Sequence, residues 1–172
     1  PFGNQLHASD YRPEGVPVVM PKDFSGGSID GETAARVSRR KAAELAPFQL
    51  HAGDVLLARR GEMGRSARVE ASQEGWLCGT GVVRIRPHDR LDSRFLTYCL
   101  RAPEAVSWLT DHAVGQTLLS LNVATVAALP LRLPSIDEQR RISEVLAAAE
   151  VAIGSSRAVV EHSRELRRSL WR

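Results

Sequence analysis

No proline follows Pro134, and from there to the end of the chain small and apolar residues return at spacings of three and four. They fall at Ile142, Val145, Ala149, Ala152, Ser156, Val159, Ser163, Leu166 and Leu170, and Leu146, Ile153 and Val160 widen the stripe. That period marks one face of a helix. Ser135-Ile136-Asp137-Glu138 opens it as a capping box, with Ser at the cap and Glu three residues on. A helix from Ser135 to Arg172 would be ~55 Å long at about 1.5 Å per residue. A domain of this size cannot cover it. The seam is therefore expected to meet another helix, in a partner chain or in a further part of its own chain. Gly154-Ser155-Ser156 is the expected weak point, with ~1–2 kcal/mol of lost helix propensity. A break there would leave a shorter helix or two helices folded on each other.

The residues before Pro134 suffice for one domain with a core in a chain of 172 residues. Short strands and short helices alternate irregularly, which predicts an α+β unit over 1–133 and a helical appendage over 134–172. Val16 to Met20 is an apolar run containing Pro17, so a strand that starts late or lies at an edge. Ser38 is placed to cap a helix from Arg39 to Leu45, Asp92 one that carries Phe95, Leu96, Cys99 and Leu100, and Asn122 a third short one. Pro103 suits the first position of a helix with Val106 and Leu109 inward. Val55 to Ala58 reads as a strand entered through Gly53-Asp54, and Trp76 to Arg86 alternates in its later part.

No run approaches the ~18 apolar residues of a membrane span, and no signal segment opens the chain, so a cytoplasmic location is expected. The first residue is Pro1, not Met, which suggests a piece of a longer or processed protein. Cys78 and Cys99 are too far apart for a Cys-x-x-Cys clip, and no His pair has zinc spacing. They are expected to be two buried thiols. The five histidines, His7, His51, His88, His112 and His162, are scattered. No phosphate loop, methyltransferase motif, metal set or catalytic triad is visible, so neither a catalytic centre, a metal nor a cofactor is expected.

The net charge of +3 says little by itself. Its distribution says more. Between Arg36 and Arg68 lie Arg36, Arg39, Arg40, Lys41, Arg59, Arg60, Arg65 and Arg68, against Glu44, Asp54 and Glu62. That excess is the footprint phosphate binding needs. Arg39-Arg40-Lys41 would occupy the first turn of a helix, where the dipole disfavours cations and a phosphate would offset the cost; a solvated charged turn would look the same. Arg59-Arg60-Gly61-Glu62-Met63-Gly64-Arg65 follows a strand directly, with glycines that permit close backbone approach. It suits a loop gripping a sugar–phosphate backbone, or a surface hairpin with incidental charges.

In this order the segments resemble a target recognition domain and spacer helix of a type I restriction–modification specificity subunit. The resemblance is carried by Val18-Val19-Met20-Pro21-Lys22-Asp23-Phe24, by Gly53-Asp54-Val55-Leu56-Leu57-Ala58-Arg59-Arg60-Gly61 with Gly64-Arg65, and by Leu91-Asp92-Ser93-Arg94-Phe95-Leu96 with Tyr98. It continues through Gly115-Gln116-Thr117, Leu129-Pro130-Leu131 and Leu133-Pro134-Ser135-Ile136-Asp137-Glu138-Gln139-Arg140-Arg141-Ile142. The resemblance implies a module that reads one half of a split target in double-stranded DNA and does no chemistry itself. It implies spacer helices that dock adenine methyltransferase subunits and, through them, a nuclease–translocase. The expected DNA contacts are Lys22, Arg36, Arg39, Arg40, Lys41, Arg59, Arg60, Arg65 and Thr117. The expected helix interface is Ile142, Val145, Ala149, Ala152, Val159, Leu166 and Leu170, pairing with a second recognition domain's helix in a homodimer or in the missing half of the subunit.

A full subunit has two recognition domains and this chain has one, so it is a half-size subunit, a fragment, or the C-terminal recognition domain of a fused methyltransferase. A helical adaptor that does not touch DNA and a small nuclease of another type remain as alternatives. Base-reading residues are placed by the sequence only as far as the Ser25–Arg36 loop and the Ser72–Cys78 segment.

Overall fold

Caps fix most of the helices where the sequence puts them. A computed structural model describes residues 5–115 and 119–170. Ser38 Oγ accepts the Lys41 N–H at 3.2 Å and starts α1 (Arg39–Glu44). Asp92 Oδ1 accepts the Phe95 N–H at 2.9 Å and starts α2 (Ser93–Arg101). Pro103 opens α3 (Pro103–Asp111), and Asn122 Oδ1 accepts the Thr125 N–H at 2.7 Å to start α4 (Val123–Ala127). Phe95, Leu96, Leu100 and Leu109 are buried. Cys78 is buried, whereas Cys99 is only half-buried, because it stands at the margin of the face that α2 turns inward.

The strands are β1 (Tyr11–Arg12), β2 (Val16–Val19), β3 (Phe24–Ser25), β4 (Ser28–Ile29), β5 (Ala35–Val37), β6 (Val55–Ala58), β7 (Ser66–Arg68), β8 (Leu77–Cys78) and β9 (Val82–Ile85). One sheet has the order β1-β5-β2-β8, a second the order β7-β6-β9, and β3 with β4 forms a small hairpin. Of the two alternatives expected for β2, the edge does not hold, since β5 flanks it on one side and β8 on the other, and a late start holds only for the ladder with β8. Pro17 is tolerated because pairing with β8 begins only at Val18, so no ladder on that side calls on its missing N–H. The stretch from Trp76 to Arg86 divides into β8 and β9, one in each sheet. Gly79 lies at the division, where a Cβ would stand 2.4 Å from Val19 O.

Every residue of β6 is buried, and the pleat sends them to two different cores. Leu56 and Ala58 pack with Val19, Phe24, Leu50 and Ala67 between the sheets. Val55 and Leu57 pack with Leu96, Leu100, Leu109 and Leu121 under the helices. A Val-Leu-Leu-Ala run without alternation is what a strand covered on both faces requires.

α5 runs unbroken from Ile136 to Leu170. No break occurs at Gly154-Ser155-Ser156; the Ser155 and Ser156 hydroxyls donate to the carbonyls of Val151 and Ala152, inside the helix. Ser135 Oγ accepts the Glu138 N–H at 3.3 Å. The root of the helix is held by a polar side chain. Gln139 is fully buried; its Oε1 accepts the Asp92 N–H at 2.9 Å, and its Nε2 donates to Arg90 O at 3.0 Å and Pro134 O at 2.9 Å. Ser143, also buried, donates to Gln139 O at 2.8 Å. The apolar stripe lies roughly a third of a turn away from this docked face. Ile142 on it is half-buried, while Ala149 and Ala152 are exposed and Val145 and Val159 are 69% and 67% exposed. The side chains of Leu166 and Leu170 lie outside the described residues. Among the described residues no helix is long and apolar enough to cross a membrane.

Candidate nucleic-acid interface

In the fold, the basic stretch from Arg36 to Arg68 separates into groups at the two ends of β2. Val37 pairs with Val16, so Arg39, Arg40 and Lys41, which follow it, gather where β2 begins. Met20 follows β2 at its other end, and Arg65 Nη1 donates to the adjoining Pro21 O at 3.3 Å. Lys22 stands there too, donating to Thr33 O at 3.1 Å. At about 3.3 Å per residue, the two ends lie ~13 Å apart.

At the first end, Arg36 faces Pro17 on one side and Arg12 on the other. Two guanidinium groups on directly opposed residues are unfavourable. The fold spreads them: Arg36 donates to Gly31 O at 3.0 Å and Gly15 O at 3.3 Å, while Arg12 donates to Ser9 O and Tyr11 O. Lys41 is the most covered of the α1 cations and pairs with Asp10 at 3.4 Å and Glu44 at 3.7 Å. The Asp10 carboxyl is held below its ordinary value, first by the His7 N–H and then, against some burial, by Lys41. Arg40 pairs loosely with Glu44 at 3.4 Å. Arg39 is exposed, and no hydrogen bond or ion pair joins it to another described residue. Arg12 could not be singled out beforehand, because only the pairing of β1 with β5 brings it to Arg36.

At the second end, the loop after β6 is less open than its arginines suggest. Arg59 Nε donates to Leu121 O at 2.8 Å, and the Leu121 N–H returns a bond to Arg59 O at 2.8 Å. Arg59 thereby ties the end of β6 to the segment entering α4. Arg65 forms a fork on Glu62 Oε2, at 2.8 and 3.1 Å. Gly64, at φ +80°, makes its close approach to the protein itself: a Cβ would stand 2.4 Å from Val106 Cγ2 and 2.7 Å from Leu100 O. Arg60, like Arg39, is exposed and has no such partner among the described residues. Lys22 Nζ lies 3.0 Å from Oδ1 of the buried Asp23. Arg68 is also engaged, donating to Ser93 Oγ at 3.0 Å and Glu70 at 2.7 Å. Thr117 lies outside the described residues.

The Gly53-Asp54 turn is a structural joint. Asp54 is buried, accepts the His51 N–H at 2.9 Å, and takes a two-pronged guanidinium from Arg86 at 2.7 and 2.9 Å. Burial pushes its carboxyl up, but Arg86 and the His51 N–H together outweigh that and hold it below its ordinary value. Burial pushes the Cys78 thiol up to about 11. Among the described residues, no three His, Cys, Asp or Glu side chains converge as a metal site would need.

The arrangement therefore offers exposed cations with no partner among the described residues at two separated points of the frame, Arg39 at one and Arg60 at the other. The same frame occurs in known proteins. A family model for the type I restriction modification DNA specificity domain matches residues 6–154. Over 154 residues the chain is 25% identical to a protein of Methanocaldococcus jannaschii described as a type I restriction enzyme MjaX specificity subunit, covering 86% of this chain and 36% of that protein. The HsdS subunit from Thermoanaerobacter tengcongensis has a similar fold, with a TM-score of 0.66 and 19% identity over 87% of this chain and 41% of that one. A chain from a structure addressing complex assembly of the type I R-M system has a TM-score of 0.68 and 24% identity, over 95% of this chain and 38% of that one. The chain thus spans a little over a third of the length of these relatives. It belongs to the family of type I restriction modification DNA specificity domains.

Proposed function

We propose that this chain is the sequence-specific DNA-reading part of a type I specificity subunit, recognising one half of a split duplex target. The family match across residues 6–154 carries this reading. The chain directs a DNA adenine methyltransferase, and through it a nuclease–translocase, and catalyses neither reaction. Incubation with S-adenosylmethionine, or with Mg²⁺ and ATP, leaves DNA unchanged. It acts in the cytoplasm. The functional division is 1–133 for reading DNA and 134–172 for assembly.

Arg39 and Arg60 are the best-placed phosphate contacts, because neither is committed to another described residue. Lys22, Arg36, Arg40 and Lys41 add positive potential while also bracing the frame. Arg59 and Arg65 belong to the frame first, so their loss would weaken binding partly through the loop. Fluorescence anisotropy with random-sequence duplex tests the reading. Binding at low salt with a steep loss of affinity as salt rises is expected, since each neutralised phosphate releases counterions. No binding even at low salt favours the adaptor reading, in which only the helix engages a partner.

The exposed stripe of α5 is the assembly surface. Large exposed apolar patches mark interfaces, and Ala149 and Ala152 allow a second helix close. That helix comes from a second recognition domain, in a homodimer or in the rest of a longer subunit. Antiparallel pairing separates the two reading domains by ~50 Å, or ~15 base pairs at about 3.4 Å each. Charged replacements at Val145, Ala152 and Val159 should abolish self-association and spare single-domain DNA binding. A monomer by light scattering at high concentration rules out the homodimer.

A further inference from the structure

Glu150 is the last residue of α5 that holds on to the globular unit through a described side-chain contact. Its Oε2 accepts the Tyr98 hydroxyl at 3.0 Å, and its Oε1 receives Arg101 Nη2 at 2.9 Å. Arg101 also stacks over the Tyr98 ring at 5.7 Å and reaches Gly26 O at 3.4 Å in the β3–β4 turn. Both Tyr98 and Arg101 lie on α2, the helix whose capping residue, Asp92, is held by Gln139 through its N–H. Gln139 and Glu150 are separated by three helical turns and share one face of α5. The two attachments therefore join the same pair of helices at points ~16 Å apart.

We propose that Glu150 is a positioning residue: with Gln139 as the fixed anchor, its contacts to Tyr98 and Arg101 set the angle at which α5 leaves the globular unit. Gln139 and the buried Ser143 lie only about one turn apart at the root, so they fix the direction of the helix less firmly than a hold three turns along. Beyond Glu150 the helix continues to Leu170, ~30 Å further at about 1.5 Å per residue. A lever of that length turns a small change of angle at the root into a large displacement of the tip. Gly26 belongs to the turn of the segment expected to face DNA, so Arg101 links that turn and the helix through one guanidinium. The consequence for spacing between half-sites rests on the proposed DNA-reading function. The geometric claim does not.

The test uses the whole chain with spin labels at Asp89→Cys and Arg168→Cys, in a Cys78→Ala, Cys99→Ala background, diluted with unlabelled chain. The parent gives one narrow distance distribution. Glu150→Ala is expected to broaden it at least twofold with an unchanged melting temperature. Glu150→Gln, which keeps an acceptor for Tyr98 and loses the ion pair, falls between. A Glu150→Ala distribution as narrow as the parent's overturns the proposal. So does broadening that appears only together with a lowered melting temperature in both variants, because the effect is then general loosening. Duplex binding by the same chains is measured in parallel: a parent that fails to bind refutes the DNA-reading function and leaves the positioning result standing.

Discussion

Up to Glu150, α5 lies against the globular unit through Gln139, Ser143 and Glu150; beyond it, Val151, Ile153, Val159 and Val160 are 70%, 52%, 67% and 49% exposed. The same three-and-four repeat runs through both halves, yet in the docked half it is the polar face that binds the domain. Among the described residues the apolar face is turned away from Val145 onward, while Ile142 at the root is half-buried. A helix that buried its apolar stripe on its own domain would have the opposite arrangement. The domain thus leaves most of the described stripe uncovered and holds the root of the helix through the hydrogen bonds of Gln139.

Truncations in the two regions should differ most. Leu100→Ala, in the core that faces α2, is expected to cost about 3 kcal/mol through lost transfer energy and a cavity. Val159→Ala should change monomer stability by less than about 0.5 kcal/mol. Urea denaturation of both variants at low protein concentration measures the contrast, and equal losses would break it. Next, Gln139→Leu leaves the Asp92 N–H and the carbonyls of Arg90 and Pro134 without their partner. A loss of about 2 kcal/mol is expected, by the same measurement. A neutral outcome would mean that the root is held by its apolar neighbours.

The Asp54–Arg86 pair offers a smaller and pH-dependent effect. The folded carboxyl titrates below its ordinary value, so its stabilisation is complete above the ordinary carboxylate range and is lost as pH falls through the depressed folded value. Stability of the parent should therefore drop below about pH 4. Arg86 is half exposed, so solvent screening keeps the contribution to about 1 kcal/mol. Arg86→Met should be less stable at pH 7 and show a shallower acid drop in thermal melts against pH. The smallest effect on folding is at Arg60. Arg60→Ala should leave the melt unchanged, weaken duplex binding severalfold on every sequence, and reduce the salt slope by about 1. Arg59→Ala should lower both binding and melting, since its Nε holds Leu121 O.

Local signals were legible and long-range ones were not. Ser38, Asp92, Asn122 and Pro103 each announced a helix start, because capping is a matter of neighbouring residues. The unbroken apolar run of β6 announced a buried strand. Pro17 left a late start or an edge open, and only the ladder with β8, which begins at Val18, shows that the strand is interior. The basic stretch shows charge in the sequence without showing where the fold places it. Arg39 and Arg60 are both exposed cations in one sequence segment, yet β2 separates them. Arg59 and Arg65 carry the same charge and spend it on Leu121 O and Glu62, and nothing near them in the sequence announces Leu121. The glycines of that loop allow close approach, and at Gly64 the approach in the fold is to Leu100 and Val106. Gln139 was visible as part of a family-like segment, while its burial depends on the loop before α2.

Selection from a pool of duplexes with a randomised central segment tests the central claim most directly. The chain should retain duplexes that share a short run of defined base pairs, and Arg60→Ala should retain the same run more weakly. Retention with no shared sequence, or none at all at low salt, would contradict the account.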